Sequence, residues 1–410
     1  MIDLKKLREN PDYFRKAAEN KQRDPLLVDK VLELDAQKRE ILQKVEVLRA
    51  ERNKLGKEDI GRGKEIKAEL QRIETDLSRV DEALNEVLWK LPNPAFDDVF
   101  VGKDESENVE VKKVGEIPKL DFTPKAHWQL GEDLDLIDTQ RAGKVSGTRF
   151  GYLKNEGVLL ELALLNFGMK KLVEKGFTPV FPPVMIKKEV MEALGYNNYG
   201  FDETYQIVGE DLVLVATAEQ AIVPYYKDEI LQEGDLPKRF VGFSGAFRRE
   251  AGSYGKDTKG ILRVHQFNKL EIVSFCKPEE SEDEHEFLVS IEEELMQILK
   301  IPYRLVKMCT GDLGDPAAAK FDIDAWFPSE GKYRETHSCS NCTDYQSRRL
   351  NIRFKTKAGE TEFVHILNGT VFSERPILAI LENYQKADGS VEIPEVLRQF
   401  VGKDTISPKS

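Results

Sequence analysis

Between residues 27 and 91, apolar side chains recur at alternating spacings of four and three. The first series runs Leu27, Val31, Leu34, Ile41, Val45, Leu48 and Leu55, with Lys38 and Arg52 standing in two positions of the same seam. The second runs Ile66, Leu70, Ile73, Leu77, Val80, Leu84, Val87 and Leu91. A period of about 3.5 residues is that of a left-handed coiled coil. Turn signals fill residues 56–63, including Asp59 and Gly61. A break this short joins antiparallel helices, each roughly 40 Å long at about 1.5 Å per residue. Pro92 and Pro94 stop the second helix.

From about residue 151 the pattern changes. Helix-like periodicity covers 158–175, 281–299 and 376–385, and strand-like runs cover 177–180, 212–216, 270–275, 321–327 and 361–367. The two kinds mix without regular β-α-β alternation. That predicts an α+β domain, an antiparallel sheet with helices beside it. Residues 95–150 are charged and irregular, with Val109, Val111 and Val114 marking one short strand.

Composition narrows the function classes. A chain of 410 residues can hold two or three domains. A net charge of −12 argues against coating nucleic acid indiscriminately. Screening acts over about 8 Å, however, so a local basic surface can still meet phosphates. The tip of the hairpin is such a place: Arg49, Arg52, Lys54, Lys57, Arg62, Lys64, Lys67 and Arg72 outnumber Glu51, Glu58, Asp59, Glu65 and Glu69. Read alone, the heptads point by default to a spacer or a dimerisation coiled coil, and only the charges at the tip suggest phosphate contact. No run of about 18 apolar residues occurs and the N-terminus lacks a signal-peptide core, which predicts a cytoplasmic protein with no membrane partner. Cys276, Cys309, Cys339 and Cys342 suit a reducing compartment. The CxxC at Cys339 and Cys342 is two ligands short of a zinc site and reads as structural.

Neither a GxxxxGK phosphate loop nor a strand-borne GxGxxG is present, so any ATP phosphates must be held by side chains. One stretch offers them. Phe247 ends a strand-like run, a glycine-rich charged loop spans 252–260, and the chain returns as a strand from Leu262 to Glu271. Arg248 and Arg263 present planar, permanently charged forks to a polyphosphate, and Phe267 a flat apolar face to a base.

FRREAGSYGKDTKGILRVHQFNKLE (from Phe247) resembles motif 2 of seryl-tRNA synthetases, a class II aminoacyl-tRNA synthetase family, and the resemblance runs over nearly the whole chain. VEKGFTPVFPPVMI resembles motif 1, the dimer-interface segment, with Pro183 at its proline. FVHILNGTVFSERPILAILENYQ resembles motif 3. TAEQ at Thr217 is similar to the serine-binding loop, and YRETHSCSNCTDYQSRRLNIRFK to the strand beside ATP and metal. The heptads match the family's tRNA-binding arm.

The resemblance implies a class II synthetase antiparallel sheet flanked by helices. It divides the chain into a tRNA-binding helical arm (1–105), a linker and entry segment (106–150) and a catalytic domain (151–410). It implies a homodimer that activates L-serine with ATP, aided by Mg²⁺, and transfers the seryl group to tRNA(Ser). The selenocysteine tRNA, which takes serine first, is a further acceptor left open. By this resemblance Arg248, Arg249 and Glu250 line the ATP site, Arg248 at the α-phosphate and Glu250 by the adenine. Arg263 and Arg375 address the outer phosphates, Phe267 lies under the adenine and Val264 lines the pocket through its backbone. Glu335 and Ser338 hold the metal, with Thr336 and His337 between them in the ATP set; His337 either adds a phosphate contact or packs. Serine falls to Thr217, Ala218, Glu219, Glu271 and Thr370. The chemistry fits, because a carboxylate attacking phosphorus needs no general base, only stabilisation of the growing charge.

Two segments depart from the family pattern. NGTVFSER is about one residue short of the usual glycine-rich run in motif 3, and ALGYNNYGFDETYQ replaces the usual GTGQLPKF after motif 1. Two rivals are a paralogue loading an amino acid onto a non-tRNA acceptor and an inactive RNA-binding relative. The intact heptad hairpin counts against the first. Arg248, Glu250, Arg263, Phe267, Glu335 and Arg375 count against the second.

Overall fold

Each heptad series builds one long helix in the structure, a computed structural model that describes residues 1–56, 59–196, 200–251, 255, 257 and 259–408. Two compact units divide the chain, Met1–Pro94 and Ala95–Ser410.

In the first unit, two short helices, α1 (Leu4–Glu9) and α2 (Pro11–Asn20), precede α3 (Leu26–Lys54) and α4 (Ile60–Lys90). Asp3 and Asn10 cap the short pair through their side chains, and Pro11 opens α2, where its missing N–H costs nothing. Ion pairs across the hairpin fix its antiparallel sense: Lys38 with Asp81, Arg49 with Glu74 at 3.2 Å and Arg62 with Glu51 at 2.7 Å. Lys38 is thus a polar seam residue with a partner. The seam buries Val31, Leu34, Val45 and Leu48 against Ile66, Leu70 and Leu84, as the heptads predict. At the root the burial shifts by one residue, to Val28 and Leu88 rather than Leu27 and Val87. Asp35, also buried in α3, receives Arg8 of α1 at 3.0 Å and so ties the N-terminal helices to the hairpin.

The turn is shorter than the glycines suggest. Helix α4 begins at Ile60, so Gly61 and Gly63 lie inside it, and the Gly63 N–H donates to the Asp59 carbonyl at 2.9 Å. Glycine costs about 1 kcal/mol in a helix. Carrying Ile66 into a cluster with Val45, Leu48 and Leu70 offsets that.

The second unit is built on one eight-stranded sheet. Its strands in chain order are β1 (Val109–Val114), β2 (Thr178–Val180), β3 (Lys238–Phe247), β4 (Gln266–Cys276), β5 (Tyr303–Lys307), β6 (Ala319–Phe327), β7 (Lys332–Asn341) and β8 (His365–Phe372). The spatial order is β1-β5-β6-β7-β8-β4-β3-β2. Every neighbouring pair is antiparallel except β2 with β3, which is parallel, so the expected antiparallel sheet is mixed at one edge. Helices α5 (Glu156–Glu174), α6 (Lys188–Leu194), α7 (Ser281–Ile298), α8 (Tyr345–Leu350) and α9 (Arg375–Asn383) belong to the same unit. The core joins Leu160, Leu164 and Leu172 of α5 and Leu288, Ile291 and Leu295 of α7 to Leu270 and Ile272 of β4.

Three expectations change here. Residues 95–150 belong to the second unit: the Phe96 N–H donates to the Ala318 carbonyl at 3.0 Å, Val99 packs with Val306, Met308 and Ala319, and β1 is an edge strand of the sheet. The boundary expected at 105 therefore sits at Pro94. The return strand of motif 2 begins at Gln266, not Leu262, because Leu262 and Val264 turn into the core. The run 361–367 is two strands, Thr361–Phe363 in a small separate sheet and β8 in the large one.

Candidate active site

Strand alternation organises the site. Along β4, Leu270 and Ile272 face the core, so Phe267, Lys269 and Glu271 share the opposite face. Glu271 pairs with Thr370 of β8 in register, and the Thr370 hydroxyl donates to Glu271 Oε1 at 3.3 Å. Lys269 forms an ion pair with Glu271 and reaches Thr217 Oγ1 at 3.5 Å. Thr217, Ala218 and Glu219 are all buried at the start of a short helix, Glu219–Ile222. Thus Thr217, Glu271 and Thr370 come together, joined by Lys269, which sequence reasoning had not singled out.

Glu219 is held from two sides. The Tyr196 hydroxyl donates to its Oε1 at 2.8 Å and Gln346 Nε2 to the same oxygen at 3.2 Å. Burial, and then the nearby charge of Glu271, push its pKa up to about 7.

The arginines cluster beyond this group. Arg248 lies over the Phe267 ring, 5.1 Å from its centroid, and its Nε donates weakly to the Ala216 carbonyl at 3.4 Å. Arg263 pairs with Glu250 at 3.0 Å and approaches Asp257 at 3.7 Å. Asp257 also takes Arg334; burial works against its ionisation, but Arg334, Arg263 and Arg375 hold its pKa low. Arg375 opens α9 and pairs with Glu335 at 3.1 Å. The Glu335 side chain is half exposed, and although some desolvation opposes its charge, Arg375, Lys320 and Arg248 hold its pKa down at about 2. Arg249 is exposed. The rest of the motif 2 loop expected at 252–260 lies partly outside the described residues, as does Lys57 of the arm.

One irregularity reshapes the Glu335–Ser338 segment. On β7, Glu335 pairs with Asp324 and His337 with Ile323, leaving Thr336 as an extra residue. This β-bulge puts Glu335 and Ser338 on one face. Thr336 and His337 turn the other way and are buried, off the face with which the resemblance grouped them. Thr336 donates to the Ile323 carbonyl at 3.1 Å. The His337 ring bonds Thr336 Oγ1 at 2.8 Å and the Val371 carbonyl at 3.0 Å, and burial drives its pKa down to about 4. The Val264 side chain packs into the core, with 4% of its surface exposed, which leaves its backbone as the part that could face a pocket.

Several acids escaped sequence reasoning because no motif letter marks them. Asp322 pairs in register with Ser338, and burial raises its pKa. Glu374, beside Arg375, is buried and raised to about 7 by that burial. Among the described residues no group of three or more His, Cys, Asp or Glu side chains is arranged to hold a metal ion.

With this geometry in place, comparison with known proteins is direct. Residues 1–95 match the seryl-tRNA synthetase N-terminal domain and residues 200–384 the class II tRNA synthetase core domain (G, H, P, S and T). The chain is 45% identical, over all of both sequences, to a serine–tRNA ligase of Dictyoglomus turgidum. It is equally similar to that of Thermobifida fusca, 45% over all of this chain and 99% of the relative. Among solved structures, the seryl-tRNA synthetase of Pyrococcus horikoshii complexed with ATP superimposes with a TM-score of 0.95 at 42% identity, covering 100% of both chains. The cytoplasmic serine–tRNA ligase of Naegleria fowleri with AMP gives 0.89 at 34%, covering 98% of this chain and 96% of the other. The chain belongs to the seryl-tRNA synthetase family.

Proposed function

We propose that the face carrying Phe267, Lys269, Glu271, Thr370, Glu335 and Ser338 is where serine meets ATP. As a member of its family the chain is a serine–tRNA ligase, an enzyme that activates serine with ATP and joins it to tRNA. The observation that carries the residue assignment is the register of β4. Its period of two aligns a base-stacking ring with an amino-acid-binding carboxylate on one strand face, with Thr370 from the neighbouring β8 and Glu335 from β7 beyond it.

In this reading Arg248 meets the α-phosphate, Arg263 and Arg375 the outer phosphates, Glu250 the adenine and Phe267 its ring face. Arg249 adds charge at the rim. Glu250, Asp257 and Glu335 hold the arginines in place before ATP arrives, so little reorganisation accompanies charge development. Thr217, Glu219, Glu271 and Thr370 surround the amino acid, with Ala218 as wall. The serine carboxylate attacks the α-phosphorus in line, and pyrophosphate departs with the bonding pair. A hydroxyl of the terminal adenosine of tRNA then attacks the seryl carbonyl and expels AMP. Glu335 and Ser338 fit Mg²⁺, which in nucleotide sites takes one or two protein carboxylates and otherwise phosphates and water. When bound there it would neutralise phosphate charge.

The arm's part is to grip tRNA(Ser). Arg52, Lys54, Lys64, Lys67 and Arg72 at its tip are exposed and make no ion pair among the described residues, which supports phosphate contact. A homodimer completes the reading. Phe181, 80% exposed in the motif 1 segment, and the exposed Leu159 and Leu162 of α5 supply apolar surface for it. So does a cytoplasmic location, which suits four free, buried thiols.

Serine-dependent exchange of pyrophosphate into ATP tests the first step, with alanine, glycine and threonine as controls. No exchange with serine would overturn the reading. Exchange without transfer to tRNA would point to a non-tRNA acceptor.

A further inference from the structure

The segment after motif 1 departs from the family pattern, yet it supplies a side chain to Glu219. Helix α6 ends at Leu194, and Gly195 turns the chain with φ +85. No other residue fits there: a Cβ on Gly195 would stand 2.7 Å from the Tyr345 ring and 3.1 Å from Arg349 Nη1. The turn is clamped from α8, whose Arg349 guanidinium lies 4.2 Å from the Tyr345 ring centroid and donates to the Glu192 carbonyl at 3.3 Å. Gln346 of the same helix donates to the Leu194 carbonyl at 3.3 Å and to Glu219 Oε1 at 3.2 Å. Tyr196, the first residue past the clamp, donates to that oxygen at 2.8 Å.

We propose that Tyr196 is a positioning residue for serine binding: with Gln346 it saturates Glu219 Oε1, and so aims Oε2 at the amino acid. This rests on the assignment of Glu219 to the serine site. A carboxylate has about four acceptor positions on two oxygens. Two donors on Oε1 fix the rotation of the group, and among the described residues nothing occupies Oε2. Oε2 is then oriented to accept from a donor on the substrate, its ammonium or its hydroxyl. The ionisable groups facing Glu219 are Glu271, Lys269 and Tyr196 itself, with Cys342 behind the phenol. The phenol proton stabilises the charged form of Glu219, so its removal raises the pKa of the carboxyl.

Tyr196→Phe, which keeps the ring, is assayed by pyrophosphate exchange in the full-length enzyme. The expected result is a rise of about five- to tenfold in KM for serine, with KM for ATP within about twofold, since one hydrogen bond to a charged group is lost. The acid limb of kcat/KM for serine should move to higher pH. In a Glu219→Gln background the same change should add less than about twofold. An unchanged serine KM, a matching rise in ATP KM, or full additivity with Glu219→Gln would each overturn the role. If the unsubstituted enzyme exchanges serine while Tyr196→Phe behaves as wild type, only this inference fails. If the unsubstituted enzyme shows no serine exchange, the functional reading itself fails.

Discussion

Glu335 and Ser338 stand three residues apart on one strand and share a face, because Thr336 is bulged out between the partners of Asp324 and Ile323. In a regular strand, odd spacing would put them on opposite sides of the sheet. In the proposed site the bulge therefore turns Glu335 and Ser338 toward substrate and Thr336 and His337 away from it. Glu335→Gln should lower the rate of adenylate formation about 100-fold or more, the usual scale for removing a preplaced charge. His337→Leu should instead lower the melting temperature and leave KM for ATP within about twofold. Pyrophosphate exchange and thermal melting on both variants separate these outcomes.

The arm tip carries exposed cations that the proposed serine and ATP site does not use. Replacing Arg52, Lys54, Lys64 and Lys67 together by Glu should leave pyrophosphate exchange intact and weaken tRNA charging at least tenfold. It should also flatten the dependence of tRNA affinity on salt, because fewer counterions are released on binding. Filter binding at several salt concentrations checks the slope.

Glu292 of α7 is fully buried, and among the described residues no donor bonds either carboxyl oxygen with good geometry; only the nearby Thr370 backbone N–H favours its charged form. Its Oε1 lies where a Cβ on Gly369 would approach to 2.9 Å, on the face of β8 opposite Thr370. Burial, then the charges of Glu271 and Asp322, push its pKa well above the ordinary range. Below the ordinary carboxylate pKa both folded and unfolded chains hold the proton, and no penalty arises. As the pH rises above it, only the unfolded chain ionises, so stability falls. Glu292→Gln should therefore come close to the parent protein near pH 4 and exceed it by about 1–3 kcal/mol at pH 8, by denaturant unfolding.

His285, also on α7, works in the other direction. It is buried against the Cys339 carbonyl at 3.1 Å, and burial lowers its pKa to about 4. The unfolded ring takes a proton below about pH 6.5 while the folded one resists until about 4, so stability is lost through that window as the pH falls. The loss is on the order of 3 kcal/mol, from about 1.4 kcal/mol per pKa unit. Thermal melts between pH 7 and 4 should steepen accordingly, and His285→Phe should flatten them.

Periodicity alone determined the two long helices and their antiparallel pairing, since a heptad seam can be buried only against a second seam. Motif letters singled out the arginines, Phe267, Glu271 and the TAE segment for the proposed site, because these chemistries need particular residue types close together in sequence. Pairing across the sheet decided the rest. Heptads cannot say where a helix starts when packing outweighs two glycines, so Ile60 opened α4. Composition made residues 95–150 look like a linker, whereas a sheet edge needing a partner strand drew β1 into the catalytic unit. The bulge at Thr336, the parallel β2–β3 edge and the convergence of Tyr196 and Gln346 on Glu219 all join residues far apart in sequence. Such contacts arise only when strands find their register and helices their faces, so only the tertiary structure decided them.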